Sequence, residues 1–307
     1  MKAIVVGLGI QGNKRAAIAG GELVAAVDPV NPKARFKSIK DVPLDQFDCA
    51  LVCTPDQAKF ELLSYLLENG KHVLVEKPLL THDNAQILAL EELARKNRAV
   101  CYTAYNHRFE PHIMRVKQAI DSGALGKVYF AKVFYGNGTA RDVKLSAWRD
   151  QGAGVLPDLG SHLLDMVLYL FGKPSSKFEP FSFNRFENLS YDHVLFGCAA
   201  TPEAFPMVEL EATLLSWRNT FRLDVFAEKG SAHIECLCKW GPSTFTLRKR
   251  VLPSGKPDQE HVTLECADPT WALEYEYFKK LCESGGTNLE NDLWINTVLN
   301  ELSGGLQ

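Results

Sequence analysis

The sequence predicts an α/β domain followed by an α+β domain, and three observations lead to that assignment. Strand and helix signals alternate along the first third of the 307-residue chain, as is typical of a parallel sheet covered by helices on both faces. A glycine-rich turn follows the first apolar run. Short strands then follow one another, which predicts an open, mostly antiparallel sheet with helices on one face. We therefore expect a first domain over 1–122 and a second over 123–307.

The elements of the first domain follow from apolar runs and helical stripes. Only a few residues separate Asp28 from the next strand-like segment, 35–38, whereas a parallel crossover normally needs about a dozen residues. Pro29 and Pro32 make a helix there still less favourable, so we expect a tight loop instead. Strands are predicted at Ala3–Val6, Leu23–Val27, Phe47–Cys53, His72–Val75 and Ala99–Thr103, and helices at Gly12–Gly20, around Phe60–Leu66 and at Asn84–Asn97.

A linking helix is predicted at Pro111–Ser122, because proline suits a first turn and Gly123 follows the end. In several of the later segments, apolar and polar residues alternate with period two, and glycine and proline separate some of these segments. A helix with an aromatic stripe, Trp271–Cys282, is expected to close the domain. The strands are expected at Lys127–Phe134, Leu195–Ala200, Val208–Leu215, Thr220–Glu228, Ala232–Cys238, Thr244–Val251 and Gln259–Cys266.

Composition restricts the classes of partner. The formal net charge of -3 argues against a nucleic-acid surface, which needs a basic stripe. No apolar stretch approaches the roughly 20 residues that span a bilayer, and the chain opens with a strand-like segment, so neither a membrane span nor a signal peptide is expected. The eight cysteines are scattered without metal-ligand spacing. We expect no metal site and a location in the reducing cytoplasm.

The glycine-rich turn is Gly7-Leu8-Gly9-Ile10-Gln11-Gly12, between a strand and a helix. Such a turn lets the backbone approach a pyrophosphate and points helix N-terminal amides at it. The same residues alone would also suit an ordinary tight turn that binds no ligand. Asp28 stands about 20 positions on, where it can accept hydrogen bonds from the adenosine ribose. Its charge would repel a ribose phosphate, so we favour NAD over NADP. Lys33 and Arg35 lie close enough to reverse that preference.

Glu76-Lys77-Pro78 closes the fourth predicted strand. A lysine at the carboxyl end of a parallel strand faces the crevice where such sheets bind ligands. An ammonium group there can hydrogen-bond a substrate hydroxyl and stabilise a developing alkoxide. An ordinary surface Glu-Lys pair would give the same pattern, so this motif alone leaves both interpretations open.

Asp158 and His162 lie four positions apart in a segment predicted to open an amphipathic helix, so they project from one face, which Asp165 extends. Histidine is suited to take a proton near neutral pH, and a nearby carboxylate fixes its orientation or charge. Alternatively, Asp158 caps a helix or favours its dipole, and His162 is a satisfied core histidine. The preceding Gly152-Ala153-Gly154 is expected to permit close backbone approach or flexibility.

Taken in order, these motifs resemble the glucose-fructose oxidoreductase/inositol dehydrogenase/MocA (Gfo/Idh/MocA) family. The resemblance covers essentially the whole chain, including Tyr105-Asn106-His107-Arg108-Phe109 and Trp148-Arg149. It implies an N-terminal Rossmann NAD(P)-binding domain and a C-terminal domain for substrate binding and oligomerisation. It also implies a catalytic set of Lys77, Asp158 and His162. The implied cofactor contacts are Gly7, Gly9, Ile10, Gln11, Gly12, Asp28, Thr54, Pro55, Glu76 and Lys77.

The Lys77-Pro78 peptide is expected to be cis, as is common in such turns. Two features depart from the family pattern. Many relatives have Thr-Pro-Asn-x-x-His where this chain reads Thr54-Pro55-Asp56-Gln57-Ala58-Lys59, which leaves details on the nicotinamide side open. The short crossover after Asp28 weakens the ribose assignment and would open the adenine side of the cofactor site.

The expected function is NAD(P)-dependent oxidation of a secondary hydroxyl on a sugar, cyclitol or nucleotide sugar. Three alternatives remain: a dehydrogenase or reductase of a non-sugar small molecule, such as a dihydrodiol or a bile pigment; a non-catalytic NAD-binding regulatory protein; and a structural or assembly protein. Alternating apolar residues on strands, such as Leu210 and Leu223, favour a homodimer or homotetramer through the C-terminal sheet. Residues that could line the pocket are Asn106, Arg108, Arg141, Trp148, Arg149 and Tyr191.

Overall fold

The structure is a computed structural model that describes residues 1–146, 149–201 and 205–304. The chain forms two compact units. The first unit contains Met1–Asn106 and Thr270–Thr297, and the second contains His107–Pro269 and the residues from Val298 onward. This division differs from the expected one after residue 122, because a C-terminal segment joins the first unit and the linking helix belongs to the second.

Thirteen strands and eight α-helices make up the described part of the chain. The strands are β1 (Ala3–Val6), β2 (Leu23–Val27), β3 (Cys49–Val52), β4 (His72–Glu76), β5 (Cys101–Ala104), β6 (Val128–Gly136), β7 (Glu179–Asn184), β8 (His193–Cys198), β9 (Met207–Thr213), β10 (Thr220–Ala227), β11 (Gly230–Glu235), β12 (Ser243–Lys249) and β13 (Asp258–Leu264). The helices are α1 (Ile10–Ala19), α2 (Asp56–Glu68), α3 (Ala85–Lys96), α4 (Pro111–Asp121), α5 (Ala140–Lys144), α6 (Ser161–Phe171), α7 (Thr270–Ser284) and α8 (Leu289–Gly304).

The first unit is built on a parallel sheet in the order β2-β1-β3-β4-β5. Its strands are short and mostly apolar, and all but the edge strand β2 bury most of their side chains on both faces, so each face supports its own core. One face packs against α2 and α3 through residues such as Leu63 and Ile87. The other face packs Val5 and Leu74 with Phe278 of α7. This packing is why the segment that carries α7 belongs to the first unit.

The crossover from β2 to β3 has no α-helix, as the sequence predicts. The strand-like segment at 35–38 is reduced to one parallel bridge, in which Phe36 pairs with Val27. The amide of Asp28 donates to the carbonyl of Phe36 at 3.0 Å, and the amide of Phe36 donates to the carbonyl of Ala26 at 3.2 Å. Two 3-10 turns, Ile39–Asp41 and Leu44–Gln46, then lead to β3.

The second unit is built on an eight-stranded sheet in the order β13-β12-β11-β10-β6-β9-β8-β7. Every neighbouring pair is antiparallel except β6 and β9, which run parallel, so the expected mostly antiparallel sheet is confirmed. The apolar residues that favoured an oligomer are fully covered within this chain: Leu210, Ala212, Leu214, Phe221, Leu223 and Val225 are each at most 2% exposed. They fill the core of the second unit, and the argument for association from these residues is wrong.

Candidate active site

The glycine loop places bare backbone at the start of α1. Gly7 has φ +93°, and a Cβ atom there would lie 2.6 Å from the carbonyl oxygen of Cys53. A Cβ atom on Gly12 would lie 1.8 Å from the carbonyl oxygen of Gly7, so both positions exclude side chains. At Gly9, by contrast, a Cβ atom would meet no atom within 4 Å. The open side of the loop therefore lies at Gly9, where an approaching pyrophosphate would be in contact with backbone.

The first turn of α1 suits an anion. Its N-cap is Gly9, with no capping side chain, and no acidic residue lies in the first turn. Amides at such a helix start carry partial positive charge and have no intrahelical acceptor. The hydroxyl oxygen of Thr54, which follows β3, is buried and has no hydrogen-bond partner among the described residues. Uncapped amides and a buried hydroxyl on one sheet edge fit the phosphate and ribose groups of a dinucleotide.

Asp28 has a structural role that the motif did not reveal. Its Oδ2 accepts from the amide of Leu8 at 2.7 Å, and its Oδ1 accepts from the amides of Val30 at 2.9 Å and Asn31 at 2.7 Å. Hydrogen bonds from backbone amides, the one from Asn31 above all, lower the pKa of Asp28. Since each carboxylate oxygen accepts about two bonds, only Oδ2 keeps capacity for a ribose hydroxyl.

Glu76, at the end of β4, is bound by a buried arginine. The Nε of Arg15 donates to Oε1 of Glu76 at 2.8 Å, and a terminal nitrogen of the same guanidinium lies 2.7 Å from Glu274 of α7. The guanidinium lies 4.2 Å from the centre of the Trp271 ring. Arg15 is 1% exposed; burial by itself lowers its pKa, but the charges of Glu274 and Glu76 outweigh burial and raise the pKa above its ordinary value. One buried cation thus joins α1, β4 and α7.

Lys77 directly follows Glu76, on the sheet edge that also carries the glycine loop, because β1 and β4 are parallel and end there. It is partly buried, and the Lys77-Pro78 peptide is cis as expected. The carbonyl of Pro78 accepts a hydrogen bond from Nζ of Lys59 at 2.9 Å. Lys59 in turn pairs with Asp56 at 2.6 Å.

Asp158 lies in a π-helical turn, Leu156–Gly160, and α6 begins only after that turn. The sequence predicts a regular helix with Asp158 and His162 on one face, so the local geometry differs from the expectation. Turns of this kind often occur at functional sites. Asp158 faces Arg149 at 4.0 Å. Burial, together with the charge of Asp158, raises the pKa of Tyr135.

His162 is packed in a group of aromatic and basic side chains in the second unit. Its ring stacks on the ring of His107 with centroids 4.2 Å apart and an interplanar angle of 20°. Tyr135 meets both rings, at 5.2 Å from His107 and 6.0 Å from His162. The Nε2 of His107 lies 3.2 Å from Nζ of Lys239. An ammonium group has no acceptor, so this contact makes Nε2 of His107 the acceptor.

Gly154 shows why the glycine stretch precedes this helix. It has φ +55°, and a Cβ atom there would lie 2.2 Å from the carbonyl oxygen of Tyr191. The amide of Val155 donates to that carbonyl at 2.8 Å. The segment is therefore fixed close to Tyr191, and close backbone approach, one of the two expected reasons for glycine, applies at Gly154.

Several expected pocket residues are held in structural contacts. Arg108 forms a two-point ion pair with Asp165, at 2.8 and 2.6 Å. Burial raises the pKa of Asp165, and the guanidinium opposes that shift. Asn106 donates to the hydroxyl of Thr270 at 2.7 Å within the first unit. Arg141 is exposed on α5, and Trp148 lies outside the described residues.

Family models match both parts of the chain. The model described as "Oxidoreductase family, NAD-binding Rossmann fold" matches residues 1–105, and the model of the GFO/IDH/MocA C-terminal domain matches residues 113–233. The chain belongs to the Gfo/Idh/MocA oxidoreductase family. The predicted family, the two-part fold and the NAD-binding Rossmann domain are thereby confirmed.

Several relatives are named as sugar or cyclitol dehydrogenases. The chain is 28% identical to scyllo-inositol 2-dehydrogenase (NAD(+)) of Bacillus subtilis over 199 residues, 56% of this chain and 54% of that protein. It is 28% identical to levoglucosan dehydrogenase of Pseudarthrobacter phenanthrenivorans over 151 residues, 48% of this chain and 38% of that protein. The chain thus matches about half or less of the length of these curated relatives.

Solved structures share the fold over nearly the whole chain. Levoglucosan dehydrogenase in complex with NADH has a TM-score of 0.84 at 16% identity, covering 99% of this chain and 97% of that one. UDP-N-acetylglucosamine 3-dehydrogenase from Acidithiobacillus ferrooxidans has a TM-score of 0.80 at 19% identity, covering 98% and 96%. These TM-scores establish the fold, and identities this low leave the substrate open.

Among the residues that the structure describes, no helix is long and apolar enough to cross a membrane. In the same ranges, no group of three or more His, Cys, Asp or Glu side chains is placed to hold a metal ion.

The sequence did not identify the partners that hold these groups. Arg15, Glu274 and Lys239 carry no motif signal of their own, and their contacts join segments up to 259 residues apart. One weak signal was available for Arg15: a lone arginine among small apolar residues near the buried face of a short helix.

Proposed function

We propose that the protein is an NAD(P)-dependent dehydrogenase that oxidises a secondary hydroxyl of a sugar, cyclitol or nucleotide sugar. One observation carries this proposal: Lys77 stands on the same sheet edge as a glycine loop whose open side is bare backbone. Carboxyl edges of parallel sheets are where such folds bind dinucleotides and their substrates. A lysine there can act on a substrate hydroxyl beside the cofactor.

In this mechanism, Nζ of Lys77 donates a hydrogen bond to the substrate hydroxyl oxygen. The imidazole of His162 accepts the hydroxyl proton, and the ammonium group stabilises the oxyanion that forms. A nicotinamide dinucleotide held at the glycine loop would supply the acceptor for the hydride that leaves the carbinol carbon. Two electrons leave with that hydride, so the alcohol becomes a carbonyl group and the proton stays on the imidazole.

The roles of the surrounding residues follow from their contacts. His107, stacked on His162 and bound by Lys239, holds the imidazole in orientation. Asp158, opposite Arg149, orients His162 or a second substrate hydroxyl. Trp240 packs on Tyr135 with ring centroids 5.7 Å apart, and an aromatic surface of this kind suits the C–H face of a sugar ring. The substrate class itself is proposed by analogy with the named relatives.

The test is turnover with a defined panel. Reduction of NAD and of NADP is followed by nicotinamide absorbance with levoglucosan, myo-inositol, a methyl D-glucoside and UDP-N-acetylglucosamine. We expect turnover with at least one, with NAD preferred. Lys77→Ala and His162→Ala should each lower kcat by about a hundredfold or more while circular dichroism stays unchanged.

The double variant tests whether the two side chains act in one step. Groups that act as a unit are strongly non-additive, so Lys77→Ala/His162→Ala should be little slower than the slower single variant. Near-normal kcat in both single variants would remove the mechanism. NADH binding without turnover of any polyol would instead favour a regulatory NAD-binding protein.

The cellular location is proposed on separate grounds. All eight cysteines are free thiols, four of them buried, which fits a reducing compartment. We propose the cytoplasm, and fractionation of the source cells would test it.

A further inference from the structure

Lys59 is a buried lysine with no place in the mechanism above. It lies on α2, one turn after that helix begins, and is 2% exposed. Its ammonium group contacts Asp56 at 2.6 Å and donates to the carbonyl oxygen of Pro78 at 2.9 Å. Burial lowers the pKa of Lys59, and the pair with Asp56 opposes that shift. Buried ammonium groups are costly unless paired, so an aliphatic side chain would serve better if the position only filled space.

The carbonyl that Lys59 binds belongs to the residue after Lys77. On the other side, Glu76 is held by the guanidinium of Arg15 at 2.8 Å. Lys77 thus lies between two neighbours, each fixed by a buried cation from a different helix. The charge of Lys77 also lowers the pKa of Lys59, so the two ammonium groups lie close enough to interact electrostatically.

We infer that Lys59 is a positioning residue for Lys77. By binding the carbonyl of Pro78, it fixes the backbone that carries Lys77 and keeps Nζ of Lys77 aimed at the substrate hydroxyl. This inference rests on the catalytic role proposed for Lys77. Misplacing a reacting group by about 1 Å can cost about a hundredfold in rate, so a loosened turn should appear mainly in kcat.

Lys59→Met is the direct test, because methionine keeps most of the apolar volume and removes the donor. Lys71→Met is the matched control. Lys71 also donates to a backbone carbonyl, that of Phe47 at 2.9 Å, but it precedes β4, at the sheet edge opposite Lys77. Lys59→Arg keeps charge and donors, and Lys59→Gln is a polar replacement for use if the methionine variant does not fold.

With the best panel substrate, Lys59→Met or Lys59→Gln should lower kcat by about tenfold or more. The KM for NAD should change by less than about twofold, Lys71→Met should match the wild type, and Lys59→Arg should recover most of the rate. In the cofactor-free protein, amide hydrogen exchange over residues 77–81 should be faster in Lys59→Met than in Lys71→Met.

Two results separate this inference from the proposed function. If Lys77→Ala is impaired but Lys59→Met and Lys59→Gln retain the kcat of Lys71→Met, the positioning role is overturned and the mechanism stands. If Lys77→Ala turns over normally, the proposed mechanism fails, and with it the role assigned to Lys59. A rise in KM alone, with kcat unchanged, also overturns positioning.

Discussion

Removal of Arg15 should strongly destabilise the first unit. Its guanidinium faces Glu76 at 2.8 Å and Glu274 at 2.7 Å, and the side chains of Arg15 and Glu274 are 1% and 0% exposed. Breaking a buried pair by removing one partner costs about 3–5 kcal/mol, because the other charge keeps its desolvation cost. Glu76 keeps 15% of its side-chain surface and can be hydrated, so most of the loss should come from Glu274.

We therefore expect Arg15→Met to lower the free energy of unfolding by about 3–5 kcal/mol. Urea titration at pH 7, followed by tryptophan fluorescence and circular dichroism, measures this loss. Trp271 is a local reporter, since it stacks on the guanidinium at 4.2 Å. The control is Lys40→Met, which breaks an exposed ion pair with Glu61 in the same unit and should change stability by less than about 1 kcal/mol.

The double variant Arg15→Met/Glu274→Leu tests whether the loss of stability comes from the unpaired charge of Glu274. When both members of a buried ion pair become apolar, the desolvation cost disappears, and stability is often recovered. The double variant should therefore be more stable than Arg15→Met alone. A loss below about 1 kcal/mol for Arg15→Met, or a double variant less stable than the single, would refute the assignment of this charge cluster as a buried structural centre.

Three further predictions follow from single contacts. His72 Nδ1 accepts from the amide of Val100 at 3.0 Å, and burial lowers the pKa of His72 below its ordinary 6.5. Because the unfolded chain then binds more protons than the folded chain, the free energy of unfolding should fall as the pH drops below 6.5. His72→Asn cannot titrate, so it should reduce this pH dependence in urea titrations. His107→Leu should lower kcat about tenfold and alter the pH profile of kcat, whereas an unchanged profile would leave His107 a packing residue only. Phe226→Lys should convert the expected homodimer or homotetramer to a monomer by light scattering, and a monomeric wild type would contradict the expectation.

Phe226 lies on the outward face of the eight-stranded sheet. Phe226 is paired in register with Phe130, which is paired with Met207 across the next strand. The rings of Phe226 and Phe130 stack at 4.7 Å, and Phe226 and Met207 are each 37% exposed. The outer patch of Phe130, Met207 and Phe226 supplies apolar surface that a second copy could cover, whereas Leu210 and Leu223 are buried within the chain.

The parallel sheet was predictable because each strand carries its own signal. Buried strands of four or five apolar residues end at motifs with distinctive glycine or lysine residues, so both position and role could be inferred. The antiparallel strands followed from alternation in the same way. The edge strand Glu179–Asn184 was missed because it is mostly exposed and contains Pro180, which removes the alternation on which the prediction depends.

Local sequence patterns do not predict the final helix or the contacts within the site. The segment Leu289–Gly304 mixes asparagine and aspartate with its buried Ile295 and Leu302, so its apolar stripe is interrupted. Residue spacing does not predict the π-helical turn at Asp158. The hydrogen bond from Lys59 joins residues 19 positions apart, and the bond from Arg15 to Glu76 spans 61, so only the folded chain reveals either partner.

These contacts explain how the loops at the carboxyl edge of the parallel sheet are held. Loops beyond the last ladder bond cannot be fixed by strand pairing, and an apolar clamp would not suit a surface that must accept a polar dinucleotide. In this chain, charged side chains do the holding: Asp28 binds amides of the glycine loop and its own turn, Arg15 binds the glutamate of Glu-Lys-Pro, and Lys59 binds the carbonyl after it. Geometry held in this way is preorganised for reaction. We therefore expect cofactor binding and turnover to be more sensitive to these three charges than to apolar substitutions of similar cost in the core.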